Sequence, residues 1–506
     1  MTRFRRSAAT ISACAALFLS GCRVGPKYQR PPAMAQAPPA AYKESPTQFP
    51  AATGSDAWKV AQPQDAMLRG KWWEIYNDAE LNALEDKLNI DNQTIKIAFQ
   101  NFMASRALIA QARSQLYPTV GFTPSGQRSG NSANTGSTTT SGNKQSDILS
   151  LPFDASWAPD IWGKVRNQIN EQQYNAQISA ADLENQRLIE QASLAIFFFQ
   201  IRGQDALDAV LSQTVSDDQK SLDYTRAQYE TGVGAEISVV EAENTLQNAQ
   251  SLLLNLGVAR AQYEHAIAVL IGTDPSSFSI PVKALSAVPP AVPIGLPSQL
   301  LERRPDIAAS ERVMASANAS IGVVTAAFYP NLTLSATGGL QSSAIQQLFK
   351  WSSRFWSVGD SISETIYDGG LRRATVNQFT SIYNADVASY RQTVLTAFQQ
   401  VEDNLSNVRI LSQQIQQQQL ATQSAQRFVD IELSRYQLGI DPYIDVVTAQ
   451  ATLLSDQQTL SSLHTQVMTA SVQLIEALGG GWDSTQLPTP AQVSVKLTPA
   501  ETTIQP

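Results

Sequence analysis

Residues 229–240 of this 506-residue chain read YETGVGAEISVV, and residues 436–447, 207 positions later, read YQLGIDPYIDVV. Identities continue at the same offset, for example at Leu246 and Leu453 and at Gly272 and Gly479. Self-similarity at one offset is the signature of a duplicated structural unit. The sequence therefore predicts five regions after any leader: an extended N-terminal segment at 22–69, a first repeat at 70–275, a proline-rich linker at 276–297, a second repeat at 298–482 and a C-terminal tail at 483–506.

Apolar residues recur every seven positions in both repeats. The series in the second repeat are Val387, Val394, Val401, Val408 and Ile415, then Val446, Leu453, Leu460, Val467 and Leu474. A sustained heptad spacing predicts helices that pack as coiled coils. The stretch 369–436 would extend ~100 Å if it were wholly helical. Each repeat is therefore expected to hold a long helical hairpin, preceded by a first helix that runs from near Asp78 to Tyr117 in the first repeat.

Four shorter segments have the alternation expected of strands, two in each repeat: 117–127, 146–157, 329–340 and 354–367. Leu149, Leu151 and Phe153 alternate with smaller or polar residues, as in strands of a membrane barrel. Since closing a barrel takes about eight strands, four per chain predict an oligomer, and a dimer, trimer or tetramer would each satisfy this count. After the N-terminus no run of 18 apolar residues occurs, so any membrane span would be a β-barrel.

The composition argues against nucleic-acid binding, metal binding and catalysis. The net charge is -8, which disfavours a nucleic-acid partner. The two histidines, His265 and His464, lie within heptad helices, and the two cysteines, Cys14 and Cys22, lie near the N-terminus. We find no phosphate-binding loop, histidine cluster or nucleophile motif. The chain is therefore expected to have no catalytic residues, no metal site and no enzymatic activity.

The N-terminus has the features of an export signal. Three arginines within residues 3–6 precede an apolar run at 8–19, which predicts a signal peptide at 1–21. The following Leu19-Ser20-Gly21-Cys22 resembles the bacterial lipobox, in which the cysteine becomes the acylated N-terminus. Arg23 follows it, whereas an aspartate is the usual inner-membrane retention signal of lipoproteins. The alternative is an ordinary cleaved signal with an incidental cysteine.

Four further motifs resemble those of the TolC-type outer-membrane efflux lipoproteins. They are GKWWEIYND at 70–78, ERRPDI at 302–307, CRVGPKYQRP at 22–31 and ALGGGW at 477–482. The resemblance covers nearly the whole mature chain. It implies a mixed fold: a trimer with an outer-membrane β-barrel of four strands per chain and 12 in all, continued by a long α-helical coiled-coil barrel in the periplasm. The implied location is the cell outer membrane, with a lipid anchor at Cys22.

The resemblance also implies partners and sites. The partners are a periplasmic adaptor (membrane fusion) protein, an inner-membrane pump and outer-membrane lipid, with no cofactor except the covalent lipid. The adaptor would dock at the hairpin ends, marked by Tyr229, Gly232, Tyr436 and Gly439. Asp441 and Asp445 would form acidic rings at a periplasmic gate, and their spacing of four predicts that they face one side of a helix that begins there. Helix capping is the alternative role of Asp441.

The resemblance thus implies an exit duct for small molecules exported by a tripartite efflux pump. Three other functions stay open at this point. They are a channel for type I protein secretion, a non-conducting scaffold lipoprotein that spaces the two membranes, and an envelope-anchored enzyme, for which the chain lacks the residues.

Overall fold

The computed structural model describes residues 23–34, 42–44, 70–130, 145–285, 289–290 and 300–494. The predicted signal peptide and Cys22 lie outside these residues. The seven long helices are α1 (Ala79–Asp91), α2 (Gln93–Ser114), α3 (Lys164–Glu230), α4 (Glu236–Leu270), α5 (Pro305–Thr325), α6 (Leu371–Gln437) and α7 (Tyr443–Ala477). The strands are β1 (Thr119–Phe122), β2 (Ser125–Gly130), β3 (Gln145–Trp157), β4 (Asn331–Ser342) and β5 (Arg354–Ser363). Short helices occupy Trp72–Tyr76, Pro275–Ser277, Leu300–Arg303, Ala326–Phe328, Ile345–Leu348, Trp351–Ser353, Ser484–Gln486 and Pro490–Val493.

The helices confirm the duplication. The first hairpin pairs α3, 67 residues long, with α4, 35 residues long, and the second pairs α6 and α7 with the same two lengths. At 1.5 Å per residue the longer helices extend ~100 Å and the shorter ones ~50 Å. Both long helices follow a glycine with a left-handed backbone, Gly163 in one half and Gly370 in the other.

The first predicted helix, from Asp78 to Tyr117, was wrong as a single element. It is divided at Asn92, whose side chain accepts a hydrogen bond from the Ile95 N–H and so begins a new helix. The Asn92 amide also donates to the Leu270 carbonyl, at 2.9 Å, where α4 ends. Asp78 begins the first of the two helices, because its carboxylate accepts from the Glu80 and Leu81 N–H groups.

The heptad positions supply the contacts between helices. Val394 and Val401 of α6 and Val446 and Leu474 of α7 are fully buried. Leu453 is only partly buried. Near the hairpin ends one cluster joins the two hairpins, and it consists of Leu222, Ala242, Leu246, Tyr443 and Val446. The two halves therefore share a core along their length.

Two of the family-like motifs, at 70–78 and 302–307, make contacts that hold each repeat together. Trp72 is buried, and its Nε1 donates to Gln191 at 3.1 Å. Arg304 forms two hydrogen bonds to Asp306, at 3.0 and 2.6 Å, and donates to the Ala477 carbonyl at 2.9 Å. The start of the second repeat is thereby bound to the last turn of α7. These motifs are structural determinants of the fold.

The strands form one antiparallel sheet in which β3 and β4, from different halves, are central neighbours. β1 and β2 both pair with β3, so the segment predicted as one strand at 117–127 is divided. The division falls at Pro124, which has no N–H for a continuous ladder. The last strand ends at Ser363, earlier than the predicted residue 367. With β1 and β2 as one interrupted strand, the four predicted strands are present.

The register gives the sheet two different faces. Residues that share a face across the four strands are Val120, Phe122, Leu149, Leu151, Phe153, Ala155, Trp157, Leu334, Ala336, Leu340, Trp356, Val358 and Ile362. The opposite face carries mainly polar residues, including Ser150, Asp154, Ser156, Thr333, Ser335, Thr337, Ser357 and Ser361. On the polar face Asp154 accepts from Thr337 at 2.8 Å. The charged exceptions on the apolar face include Asp360 and Arg354, and the paired Arg128 and Asp147 at the end of β2 and β3.

Within the described ranges, none of the helices combines the length and the apolar character that crossing a membrane would require.

Candidate functional site: the hairpin ends and the N-terminal arm

Both hairpins turn at a glycine that follows the long helix. Gly232 has φ 76° and Gly439 has φ 73°, a left-handed conformation that side chains with a Cβ disfavour. The Gly232 and Gly439 N–H groups donate to the Tyr229 and Tyr436 carbonyls, each at 2.9 Å. The next residue's N–H donates to the carbonyl one residue before the tyrosine, Val233 to Gln228 at 2.9 Å and Ile440 to Arg435 at 3.0 Å. The Tyr-x-x-Gly spacing therefore places a glycine at the position where the end of the long helix needs a left-handed backbone.

The two tyrosines of the repeated motif have different environments. Tyr229 is exposed, whereas the Tyr436 ring lies between the hairpins, 5.1 Å from the Tyr443 ring. The Tyr436 hydroxyl donates to the Gln228 side chain at 2.7 Å. Burial raises the pKa of Tyr436, so its hydroxyl stays a donor. Gln228 was missed by sequence reasoning, although it immediately precedes the Tyr229 motif.

The two predicted gate residues do not share one helix face. Asp441 lies before α7 begins at Tyr443, while Asp445 lies in its first turn. The expectation that both face one side of the same helix was wrong because Pro442 begins the helix after Asp441. Asp441 also makes no capping hydrogen bond to α7. Its carboxylate pairs instead with Arg435, and this ion pair lowers the pKa of Asp441.

Large apolar side chains surround both turns and are exposed. In the first hairpin these are Val233, Ile237 and Val240, and in the second they are Leu438, Ile440 and Ile444. Exposed apolar groups that cluster at one end of a protein indicate an interaction surface. Two pairs correspond through the duplication, Val233 with Ile440 and Ile237 with Ile444. A partner could therefore contact each hairpin end in a similar way.

A buried carboxyl lies between the hairpins above their ends. Asp218 of α3 is 3% exposed, and its Oδ2 has no hydrogen-bond partner in the described part of the chain. Burial, with a smaller contribution from the neighbouring Asp217 charge, raises the pKa of Asp218 to about 6. Sequence reasoning missed this residue because its burial depends on packing between the two repeats.

The described parts of the N-terminal arm, residues 23–34 and 42–44, contact the junction of sheet and helices, α5 and the middle of α6. The Val24 N–H donates to the Trp162 carbonyl at 3.1 Å, beside the start of α3. Farther along, the Tyr28 hydroxyl donates to Glu311 at 2.6 Å. The Arg409 guanidinium binds the Glu44 carboxylate through two hydrogen bonds, at 2.6 and 3.0 Å. Residue 23 is therefore held at the junction of sheet and helices.

The aromatic residues at this junction have two kinds of environment. Trp162 and Tyr329 stack at 4.8 Å, and the Trp162 Nε1 donates to the Pro330 carbonyl at 2.8 Å. Tyr117 and Tyr367 are exposed. The first pair packs ring against ring although Tyr329 is still 39% exposed, whereas Tyr117 and Tyr367 are 69% and 88% exposed.

A sheet with one apolar face, continued by helices ~100 Å long, defines a membrane channel protein with a helical extension. The chain belongs to the outer membrane efflux protein family, whose model matches residues 84–273 and 296–480. It is 30% identical over 474 residues to the probable efflux pump outer membrane protein TtgC of Pseudomonas putida, covering 93% of this chain and 95% of that one. It is 26% identical to the cation efflux system protein CusC of Escherichia coli, over 93% of this chain and 98% of CusC.

Solved structures have the same fold. The outer-membrane channel OprN superposes with a TM-score of 0.79 and is 26% identical, covering 91% of this chain and 100% of that one. The predictions of the family, of an outer-membrane efflux function and of a sheet continued by long helices are thereby confirmed. The outer membrane is accordingly the location of the chain.

Proposed function

We propose that three copies of this chain form a passive exit duct through which small molecules leave the cell after an inner-membrane pump has expelled them. The observation that carries the proposal is the continuity, in one chain, of a two-faced sheet with two ~100 Å helices. The apolar face of the sheet suits lipid and the polar face suits a water-filled lumen. The helical hairpins extend the lumen into the periplasm, and the pump supplies the energy.

The open edges of the sheet support the assembly of several copies into one barrel, and the family resemblance sets their number at three. β5 pairs only with β4, and β1 and β2 pair only with β3, among the strands that the structure describes. An exposed edge presents unpaired backbone donors and acceptors, which another copy can satisfy. Three copies would supply twelve strands, more than the roughly eight needed for closure. The edge at β5 of one copy would pair with the edge at β1 and β2 of the next.

The position of the N-terminal arm supports acylation of Cys22. Arg23 lies against Gly163, where the sheet meets α3. A cysteine immediately before Arg23 would therefore lie at the level where the proposed membrane-embedded sheet ends. Acyl chains at this level could enter the bilayer without displacing the arm, and each buried CH₂ contributes ~0.8 kcal/mol.

The hairpin ends are the proposed contact for the periplasmic adaptor. Their exposed apolar residues and the turns at Gly232 and Gly439 form the surface that the adaptor would cover. In the trimer, Asp445 of each copy would contribute to an acidic ring near this end that favours cations, and Asp441, paired with Arg435, would hold the turn beside that ring. The proposed role is transport alone, with no catalytic residues, no cofactor besides the lipid and no nucleic-acid partner.

The decisive test is the conductance of the purified mature protein in planar bilayers. We expect discrete openings that prefer cations, from an oligomer that migrates as a trimer. A folded trimer that yields no conductance would overturn the duct and favour a scaffold.

An adaptor pull-down with the Ile237→Asp, Ile440→Asp variant tests the proposed docking at the hairpin ends. The trimer should persist while adaptor binding falls at least about tenfold.

The anchor has its own test. The Cys22→Ser variant should lose incorporation of labelled palmitate, and it should still require detergent because the sheet remains. If the variant became water-soluble, the lipid would be the sole membrane attachment and the proposed barrel would be wrong.

A further inference from the structure

The loop between β4 and β5, residues 343–353, projects its large apolar side chains outward. It is an ordered loop, since Leu348 is buried and the Ser353 hydroxyl donates to the Gln347 carbonyl at 2.7 Å. Ile345 is 65% exposed, Phe349 is 75% exposed and Trp351 is 76% exposed. The loop lies at the end of the sheet farthest from the helices, because β4 leads away from α5 and β5 returns toward α6.

The corresponding loop of the first repeat has the opposite composition. Residues 131–144 are mainly Ser, Thr, Gly and Asn, and they include no aromatic residue and no carboxylate. The two loops connect corresponding strands of the two repeats, β2 with β3 and β4 with β5. The connection itself therefore does not require the apolar cluster at 343–353, which is a property of the second repeat.

The cluster continues the apolar face of the sheet. Arg354 lies on the same face as Trp356 and Val358, because successive residues of a strand alternate between faces. The Arg354 guanidinium lies over the Trp351 ring. The apolar face of the sheet thus ends at the Trp351 ring, with the Arg354 guanidinium over it. An arginine side chain at the edge of a membrane lies in this way, with its stem along apolar surface and its charge near the lipid head groups.

The charge at this end of the sheet is opposite to that of the whole chain. Lys350 and Arg354 border the apolar cluster, and neither has a carboxylate within ion-pair distance among the described residues. Arg128, on the adjacent hairpin, is paired with Asp147 at 3.4 Å. The chain as a whole carries a net charge of -8. Two cations without carboxylate partners beside an exposed apolar cluster fit a ligand that has both acyl chains and phosphate.

We infer that residues 345–354 form a binding site for a phosphate-bearing anionic lipid of the outer leaflet. Ile345, Phe349 and Trp351 contact its acyl chains, and Lys350 and Arg354 bind its phosphate. The inference rests on the proposed function, because it requires the apolar face of the sheet to be in the membrane. It adds to the proposed function a preference for one class of lipid at the loop between β4 and β5.

Quenching of tryptophan fluorescence by brominated lipid tests the site. The trimer is reconstituted into dioleoylphosphatidylcholine vesicles with increasing fractions of brominated phosphatidylglycerol or brominated phosphatidylcholine. The difference between wild type and Trp351→Phe isolates the signal of Trp351, and Trp356→Phe isolates that of Trp356. We expect brominated phosphatidylglycerol to quench Trp351 at about tenfold lower mole fraction than brominated phosphatidylcholine.

The Lys350→Gln, Arg354→Gln variant should abolish this preference while Trp356 remains quenched, which shows that the sheet is still inserted. The matched control is Lys96→Gln, Arg391→Gln, which removes the same charge from exposed helix positions and should keep the preference. Equal quenching of Trp351 by both lipids in wild type would overturn the head-group site. Absence of Trp351 quenching alone would overturn the lipid contact, whereas absence of quenching at both tryptophans, without conductance, would overturn the proposed membrane-inserted duct.

Discussion

The Arg435 guanidinium forms two hydrogen bonds with the Asp441 carboxylate across the turn of the second hairpin, one of them 3.0 Å from Nη2 to Oδ1. The pair joins the last turn of α6 to the residue before Pro442. Asp445, one turn into α7, has no ion-pair partner among the described residues. Two acidic residues four positions apart thus have different roles: Asp441 forms the ion pair that constrains the turn, and Asp445 interacts with Arg435 only at longer range.

The first prediction separates these roles by conductance. Asp445→Asn should lower the cation-to-anion permeability ratio without changing the turn. Asp441→Asn should release Arg435 and raise the open-state conductance, because the second hairpin end becomes less constrained. Arg435→Gln is the control for the ion pair and should resemble Asp441→Asn in conductance. Single-channel recording with a salt gradient measures both quantities. Identical behaviour of the two aspartate variants would contradict the assignment of different roles to Asp441 and Asp445.

The second prediction concerns the glycine turns. Gly439→Ala should destabilise the protein by about 1–2 kcal/mol per copy, since alanine disfavours the left-handed backbone even though no atom lies near the added Cβ. Gly257→Ala, at an exposed position inside α4 with equally open surroundings, should stabilise by about 1 kcal/mol. Thermal unfolding in detergent, followed by circular dichroism, compares the two. Shifts of the same sign would show that the turn conformation is not the cause.

The third prediction tests the two faces of the sheet with neighbouring residues. Val358→Lys introduces a charge on the apolar face and should cost about 2–4 kcal/mol if that face meets the bilayer midplane. Ser357→Lys introduces the same charge on the polar face and should be tolerated. The yield of folded trimer in vesicles is the measurement. A lower yield for Ser357→Lys than for Val358→Lys would reverse the assignment of lipid and lumen.

The fourth prediction is a pH dependence with opposite signs at two adjacent residues. Burial raises the pKa of Asp218 to about 6, so its stabilising contribution is complete below the usual value of 3.8 and is lost as the pH rises through about 6. Asp217 is different: burial opposes ionisation, but hydrogen bonds from Gln213 and Lys220 outweigh it and lower the pKa. Its contribution is therefore present above pH 3.8 and is lost on acidification.

Unfolding temperatures from pH 3 to pH 8 check this prediction. Asp218→Asn should flatten the decline between about pH 4 and about pH 6, and the variant should be more stable than wild type near pH 7. Asp217→Asn should reduce that decline only slightly, because the Asp217 charge makes the smaller contribution to the raised pKa of Asp218, and should mainly alter the most acidic points. If both variants followed the wild-type curve, neither carboxyl would contribute to the pH dependence.

Much of the fold follows from periodicity, because helix and strand periods record which face is buried. The heptad series that contains Val394 and Val401 predicted a long helix within 369–436, which α6 confirms, and the alternation around Phe153 predicted β3. Two element boundaries could not be predicted from periodicity. Asn92 separates α1 from α2 because its side chain accepts from the Ile95 N–H of α2 and donates to the Leu270 carbonyl of α4. Pro124 interrupts a strand that the alternation alone would continue.

The candidate site was less predictable because it depends on contacts between repeats. Tyr229 and Tyr436 occupy the same place in the motif, but only Tyr436 lies where one hairpin packs on the other. The pairing of Arg435 with Asp441 depends on the path of the intervening turn, which spacing along a helix does not describe. The lipidation of Cys22, the docking role of the hairpin ends and the gate stay predictions.

The central pairing of β3 with β4 has a consequence for biogenesis. Trp157 pairs with Leu334, 177 positions further along the chain, so the sheet cannot be completed until well over half of the polypeptide has been synthesised and exported. Until then β3 has an open edge that any other extended chain could occupy. We therefore expect β1, β2 and β3 to be exposed to mispairing and proteolysis during the delay until β4 has been exported.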